Sequence, residues 1–215
     1  MPRRILALVA LFFLAFAAPA SAAVIIAFYS HDTHVNPALT IRFPHGFVLL
    51  SGATESGEAV NAHLGFSSKT LSMKILWGPV EGALDDERLT DAYIAQAQRH
   101  FSFPISDAQY RAVMAVEHKW RTWPQPSYEI DTHNCTTFVK EIAVAAGLVV
   151  SDDARFIRKP RSFLDDVASR NAAFLASAQA APANLAVTPD VSPGAPAPQS
   201  RASAPVRDWA TSAPN

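Results

Sequence analysis

The sequence has 215 residues, of which 49% are hydrophobic and 17% charged, with a formal net charge of −1 and a single cysteine. This hydrophobic fraction is sufficient for one ordinary folded domain and excludes a chain that is disordered throughout. The near-neutral charge argues against a nucleic-acid-binding protein, which usually carries a clear basic excess. One cysteine excludes an internal disulfide framework and a zinc site built from several thiolates.

The first 22 residues predict a secretory signal peptide. Two arginines within the first four residues form a positive n-region, and an uninterrupted apolar run follows at 5–18. Pro19 ends this run, and the small residues at 20–22 suit a signal peptidase. An uncleaved membrane anchor is the alternative, but the run is shorter than the roughly 20 residues that a span needs. We therefore expect cleavage after Ala22, a periplasmic or secreted location in a bacterium, and no transmembrane span in the mature chain.

The C-terminal segment at 177–215 predicts a disordered or polyproline-like tail. Seven of the 16 prolines lie in it, and prolines at this density interrupt both helices and strand ladders. Trp209 near its end is either a docking residue for an envelope partner or a chance aromatic in a solvated tail. Residues 23–176 remain as one folded domain.

The first half of this domain is rich in β-prone segments. They are separated by Pro44, by a polar turn at 54–58 and by a Gly-Pro pair at 78–79. The last of these segments, at 93–103, alternates as a strand does, although its AQAQ stretch at 95–98 also suits a helix. Strands are expected at 23–29, 39–43, 46–51, 59–66, 71–77 and 93–103.

Helical patterns follow in the second half of the domain. The S-x-x-Q pattern at Ser106 has the form of a capping box and begins a helix that should end before Pro124. A second helix begins near Cys135 and ends at Gly147, and Pro160 begins a third. The sum is an α+β domain with an antiparallel sheet packed against a few helices.

Cys135 lies at the first turn of the second, amphipathic helix, within the polar stretch YEIDTHNCTT at 128–137. Free backbone N–H groups and the helix dipole at such a position lower the pKa of a thiol. The same N–H groups can hold the oxyanion of a tetrahedral intermediate. A buried cysteine that acts as a small hydrophobic residue is the alternative. The polar flanks and the position at the cap favour a nucleophile.

A cysteine nucleophile needs a base, normally a histidine, and the chain has seven. His45 is the best placed because it begins an otherwise apolar strand. If Gly52 pairs with Glu58 across the turn, His63 lies on the same face as a diagonal neighbour of His45 and could orient its ring. Asn61 is a weaker candidate for that third role.

The other histidines are weaker candidates for the base. His133 is close to the cysteine in sequence, but side chains two apart at a helix start point differently. His118 is interpreted as a surface residue, and His100 as a strand residue with no obvious partner. His31 and His34 suggest a polar loop rather than a metal pair, because no further spaced ligands accompany them.

Three segments carry a resemblance to a known group of proteins: FPHGF at 43–47, a hairpin ending in LGF at 64–66, and HNCTTFV at 133–139. In this order they resemble circularly permuted papain-like proteins of the NlpC type, the group that includes lecithin retinol acyltransferase. More narrowly, residues 24–148 are similar to a family of uncharacterised exported bacterial proteins of this type. The resemblance implies a permuted papain-like fold, in which the histidine strand precedes the cysteine helix.

The resemblance also implies roles for individual residues. Cys135 is the nucleophile and His45 the base, whereas His63 as the third polar residue rests on the hairpin geometry alone. Tyr128 matches a tyrosine that often precedes the cysteine, and it either helps to bind the oxyanion or anchors the loop by packing. Asn134, directly before the cysteine, is assigned together with Tyr128 to the oxyanion or substrate region.

The expected activity is hydrolysis of an amide or ester bond through a thioester, without a cofactor or metal. Export favours a cell-wall peptide of the γ-glutamyl or diamino-acid kind, while lipid acyltransferases and ester hydrolases in the same group keep acyl esters open. Two alternatives belong to other classes. One is a catalytically inactive binding or scaffold module of the same fold, and the other is an envelope tethering protein that uses its Pro/Ala-rich tail.

Overall fold

The computed structural model describes residues 23–36, 41–70, 72–84 and 88–180. They form an α+β arrangement around one five-stranded antiparallel sheet with the strand order β4-β3-β2-β1-β5. The predicted α+β class is thereby confirmed. The predicted signal peptide and the chain after 180 lie outside the described residues. Within these ranges, no helix combines the length and apolar character needed to cross a membrane.

The sheet and helices have the following bounds. The strands are β1 (Val24–Asn36), β2 (Ile41–Ala53), β3 (Ala59–Ser68), β4 (Gly82–Leu84) and β5 (Gln98–Ile105). The α-helices are α1 (Asp91–Ala95), α2 (Asp107–Arg121), α3 (Cys135–Ala145), α4 (Pro160–Arg170) and α5 (Ala172–Ala180). Two short 3₁₀ helices span Met73–Leu76 and Ala154–Phe156.

The predicted strand at 71–77 is wrong. This segment contains the 3₁₀ helix Met73–Leu76, in which only Ile75 is buried. A paired strand that faces the core needs alternate buried positions, and one buried residue flanked by exposed neighbours does not supply them. The predicted strand at 93–103 is correct only from Gln98 onward, because Thr90 caps helix α1 by accepting a hydrogen bond from the Tyr93 N–H.

Three boundaries also differ from the expected ones. The stretch at 31–34, expected as a loop, continues strand β1. Strand β2 passes through Pro44 without interruption, because its ladder with β3 begins only at Phe47 and Pro44 is paired with β1 alone. Helix α5 continues to Ala180, so the folded domain extends four residues past the predicted boundary at 176.

The predicted helices at 106–123 and after Cys135 and Pro160 are confirmed. Ser106 and Gln109 form the expected capping box at the start of α2, where the Ser106 side chain accepts from the Gln109 N–H and the Gln109 side chain accepts from the Ser106 N–H. The core lies between the sheet and these helices. Its fully buried members include alternate residues of two central strands and the apolar faces of two helices: Ile26, Phe28, Val48, Leu50, Phe138, Ile142, Phe163 and Leu164. Each such side chain contributes about 1.5–3 kcal/mol by its burial.

Candidate active site

Strand β2 and helix α3 bring His45 and Cys135 together, although they lie far apart in the chain. Cys135 is the first residue of α3 and is 6% exposed. The His45 side chain interacts with its thiol and favours the thiolate. The sulfur also lies 3.9 Å from the Pro44 carbonyl oxygen, and the Gly46 N–H points towards it. Three consecutive residues of β2 therefore surround the sulfur, as expected for a nucleophile with an adjacent base.

The electrostatic surroundings favour the thiolate of Cys135. Burial alone raises the pKa of a thiol because it removes the charged form from water. The hydrogen bond and the charge of His45, together with the Gly46 N–H, outweigh this effect, so the pKa of Cys135 lies below its ordinary value. A thiol with a lowered pKa, reached from a cavity, is the arrangement that makes a cysteine reactive.

The predicted role of His63 is wrong, because the hairpin between β2 and β3 has a different register. Gly52 pairs with Val60 rather than Glu58, and His63 pairs with Leu49. His63 keeps the same face of the sheet as His45. It lies about 13 Å along the strands from it, since four residues of a strand span about 3.3 Å each, and it cannot orient the His45 ring.

The turn explains this difference in register. The Thr54 N–H donates to the Glu58 carbonyl oxygen at 2.9 Å, and the Gly57 N–H donates to the Thr54 carbonyl oxygen at 2.9 Å. The Thr54 hydroxyl also accepts from the Glu58 N–H at 3.1 Å. These bonds place residues 54–58 in the turn, so the ladder begins one residue later on each strand than predicted.

Ser67, rather than His63, is the polar residue of β3 that lies beside His45. Continuing the register by two pairs beyond Phe47 and Gly65 places Ser67 opposite His45. Ser67 and His45 line the same cavity, and the Ser67 Oγ accepts a hydrogen bond from Arg88 at 2.9 Å. The correct register would have identified Ser67 from the sequence alone.

Aromatic rings cover His45 on its other side, which sequence reasoning missed. His45 is paired with His31 across β1 and β2. The Tyr93 ring of α1 lies 4.4 Å from the His31 ring and 6.5 Å from the His45 ring, and the Phe47 ring lies 5.9 Å from His45. This packing limits the positions that the His45 ring can occupy. No local sequence signal connects Tyr93 to the histidine strand.

Asn134 holds the start of helix α3. It is 2% exposed, and its Oδ1 accepts from the N–H groups of Thr136 at 2.8 Å and Thr137 at 3.1 Å. Its Nδ2 donates to the carbonyl oxygens of Ile130 at 2.6 Å and Ile157 at 2.9 Å. The whole amide is therefore engaged with the backbone. Asn134 therefore positions Cys135. Its side chain has no free group left to make the predicted contact with the oxyanion or substrate.

The cap also changes which N–H groups can hold an oxyanion. The Asn134 side chain accepts from the backbone N–H groups of Thr136 and Thr137 at the start of α3, although this turn was expected to leave its N–H groups free. The backbone N–H of Cys135 itself makes no hydrogen bond to any part of the chain that the structure describes. It is the donor of this turn that remains for an oxyanion next to the sulfur.

Tyr128 is fixed by its backbone and by packing. Its N–H and carbonyl oxygen each form a 2.9 Å hydrogen bond with Val80, and its ring lies 5.9 Å from the Phe66 ring. Tyr128 also lines both cavities beside Cys135. The anchoring role is thus supported, and a contribution to oxyanion binding stays a prediction.

Cys135 lies between two cavities of about 170 Å³ and about 370 Å³. The first, the His45 cavity, is lined further by Ser67, Ser68, Arg88, Leu89 and Tyr93. The second, the apolar cavity, is lined further by Met73, Leu76, Ile130, Asn134, Thr136, Ile157, Arg158 and Pro160. Phe43, Pro44, Tyr128 and Cys135 belong to both. A substrate could therefore place one part on each side of the sulfur.

Comparisons with protein-family models, with curated proteins and with solved structures give no match to this chain. Among the described residues, no group of three or more His, Cys, Asp or Glu side chains is arranged to hold a metal ion. The functional interpretation therefore depends on the geometry around Cys135.

Proposed function

We propose that this chain is a cysteine-dependent acyl-transfer enzyme that cleaves an amide or ester bond through a thioester. The observation that supports it best is the interaction of the His45 side chain with a buried Cys135 thiol, at the point where two cavities meet. A base, a nucleophile with a lowered pKa and space for substrate on both sides are what this chemistry needs.

The reaction begins with transfer of the Cys135 thiol proton to His45. The sulfur attacks the substrate carbonyl carbon, and the carbonyl oxygen becomes an oxyanion that the Cys135 N–H can stabilise. Collapse of this intermediate breaks the bond to the leaving group, which takes the proton from His45. Water, or another nucleophile, then attacks the thioester and releases the acyl group, while the proton returns to the sulfur.

The proposed relationship is to the permuted papain-like proteins of the NlpC type. It is supported by the order of the elements, since the strand that carries His45 precedes the helix that begins at Cys135. With the signal peptide that the sequence predicts, the substrate in the bacterial envelope would be a cell-wall peptide or an acyl ester. The apolar cavity favours a substrate with an apolar group on one side of the bond that is cleaved.

The test of the nucleophile is the pH dependence of Cys135 alkylation by iodoacetamide. An unperturbed thiol titrates near about 8.5, so we expect half-maximal alkylation below this pH in the wild type and an upward shift in His45→Ala. His118→Ala is the matched control, because this exposed histidine lies on α2. A normal titration in the wild type that His45→Ala does not change would contradict the proposal.

The test of the reaction is the detection of an acyl group on Cys135. Peptide amides and activated esters are incubated with the protein, and the adduct is mapped by mass spectrometry. We expect acylation in the wild type and none in Cys135→Ala, with a loss of turnover on the order of 10²-fold or more in His45→Ala. An activated thiol that is never acylated would instead favour the binding module of the same fold.

A further inference from the structure

A second cluster of catalytic residue types lies between β1, β5 and α4. The Ser30 Oγ lies 2.8 Å from the His100 Nε2, and the His100 Nδ1 lies 2.8 Å from the Asp165 Oδ1. The three side chains form a chain of hydrogen bonds from a hydroxyl through an imidazole to a carboxylate. This is the order of contacts in a serine nucleophile, its base and the group that orients the base.

The protonation of this chain follows from the chemistry of its ends. A carboxylate only accepts hydrogen bonds, so the His100 Nδ1 carries the proton and donates it to Asp165. The Nε2 is then bare and accepts the Ser30 hydroxyl proton. Burial lowers the pKa of His100, the hydrogen bond and charge of Asp165 raise it, and Arg161 lowers it, with a net lowering. The ring is therefore neutral at neutral pH and able to take a proton.

A β-bulge places His100 in this position. Phe28 of β1 pairs with Phe101, and the next residue, Tyr29, pairs with Arg99, so His100 is the extra residue on β5. Bulges redirect a side chain and occur often beside active sites. The redirected ring is 2% exposed and lies against Ser30, which is itself 6% exposed.

Helix α4 completes the cluster from above the sheet. Gly46, which pairs with Ser30, allows helix α4 to approach the sheet closely, because a Cβ at position 46 would lie 3.0 Å from the Pro160 Cβ. The helix then carries Arg161 and Asp165 on the turns that follow. Arg161 donates a hydrogen bond to the Gln98 Oε1.

Ser30 opens onto a cavity of about 180 Å³. This cavity, the Ser30 cavity, is polar, and its other lining residues are His31, Asp32, Gln96, Gln98 and Arg161. These residues differ from those that line the two cavities at Cys135. A nucleophile at the wall of its own polar cavity can receive a small polar substrate independently of Cys135.

We infer that Ser30, His100 and Asp165 form a second acyl-transfer centre, which hydrolyses small polar esters in the Ser30 cavity. The Ser30 hydroxyl proton passes to the His100 Nε2 as the Oγ bonds to the ester carbonyl carbon. The bond between the carbonyl carbon and the ester oxygen then breaks, and the alcohol leaves with the proton from His100. Water then attacks the acyl-serine, and the products are a carboxylic acid, an alcohol and the original Ser30 hydroxyl. Arg161, which lines the same cavity, supplies a positive charge for the developing oxyanion.

The experiment uses a small fluorophosphonate, which loses fluoride as the serine oxygen bonds to phosphorus. The full chain is labelled at pH 8 in the wild type and in Cys135→Ala, and the adduct is mapped by mass spectrometry. We expect modification of Ser30 at equal rates in both, none in Ser30→Ala, and a rate lower by about 10²–10⁴-fold in His100→Ala. Ser102→Ala, on β5 opposite Ala27, should label as the wild type does.

The positioning role of Asp165 has its own readout. Asp165→Asn removes the negative charge that helps to raise the pKa of His100, so the pH profile of labelling should move to lower pH while the maximal rate falls. Asp166→Asn, which instead breaks the pair with Arg170, should leave the profile unchanged. The Asp165 side chain is 61% exposed, so its replacement tests the cluster even if His100→Ala does not fold.

Hydrolysis of 4-nitrophenyl acetate by Cys135→Ala completes the test, with loss of this hydrolysis in the double variant with Ser30→Ala. An unlabelled Ser30 in the wild type would overturn the inference, as would labelling that is indifferent to both His100→Ala and Asp165→Asn. Neither result bears on Cys135, whose proposed activity is tested by its own alkylation and acylation.

Discussion

Replacement of Asn134 by alanine should destabilise the protein through the start of helix α3. The change removes the cap from two N–H groups, which costs about 1 kcal/mol. It also removes two donors from the carbonyl oxygens of Ile130 and Ile157, at about 1 kcal/mol each. The expected loss is therefore about 3 kcal/mol in the free energy of unfolding. For a domain of this size it corresponds to roughly 6–12 °C in Tm.

Urea unfolding and thermal unfolding measure this loss directly. Asn61→Ala is the matched control, because this asparagine is exposed on β3 and should change stability by less than about 0.5 kcal/mol. Asn134→Asp keeps the acceptor but faces a carboxylate towards two carbonyl oxygens, so it should be at least as destabilising as alanine.

The result that would refute this reasoning is an Asn134→Ala protein with wild-type stability. If Cys135 acylation fell in that protein while its unfolding midpoint stayed the same, Asn134 would act on the chemistry, as the sequence suggested. A protein with lowered stability and a normal acylation rate would fit a purely structural cap.

Three further changes test the described packing. Gly52→Ala should lower the free energy of unfolding in urea by about 1–3 kcal/mol, because φ is +116° and a Cβ would lie 2.2 Å from a backbone carbonyl oxygen. The control is Gly57→Ala, at φ +84° with no atom within 4 Å of the added Cβ, which should cost less. Equal losses of stability in the two variants would contradict the predicted clash at Gly52. Burial lowers the pKa of His133, whose ring stacks on that of Trp120 at 3.7 Å. As the pH falls below about 6.5, His133 is protonated in the unfolded chain before it is protonated in the folded one, so the stability that is present above this pH is lost on acidification. His133→Gln should flatten this loss between about pH 7 and 5. The buried Trp120 indole N–H donates to the Glu141 carboxylate at 3.0 Å. Glu141→Leu leaves this N–H without an acceptor and should lower the free energy of unfolding by about 1–3 kcal/mol, whereas Glu141→Gln should cost less stability.

The parts of the fold that local signals determine were predictable from the sequence. The capping box at Ser106, the helix start at Cys135 and the proline at position 160 each specify a helix terminus through nearby residues. The strand that carries His45 was predictable because its apolar residues continue to the polar turn. These local signals are enough to predict Cys135 and His45 as a candidate pair.

The parts that depend on contacts distant in the sequence were not predictable in this way. The prediction of His63 depends on a hairpin register, and the hydrogen bonds of Thr54 in the turn produce a different one. His100 was interpreted as a strand residue without a partner, yet it contacts Ser30 and Asp165, 70 and 65 residues away in the chain. Patterns along one strand do not show which side chains reach it from a helix.

The distance in sequence between Cys135 and strand β2, which packs against its sulfur, has a consequence for folding. The sulfur contacts Pro44, which is 91 residues away, so the surroundings that lower the pKa of Cys135 form only after β2 and α3 have met. Contacts of such long range form at a high cost in chain entropy and come late in folding. An unfolded chain therefore carries an ordinary thiol with a pKa of about 8.5. Alkylation at a pH well below this value then reports the fraction of molecules that have completed their fold.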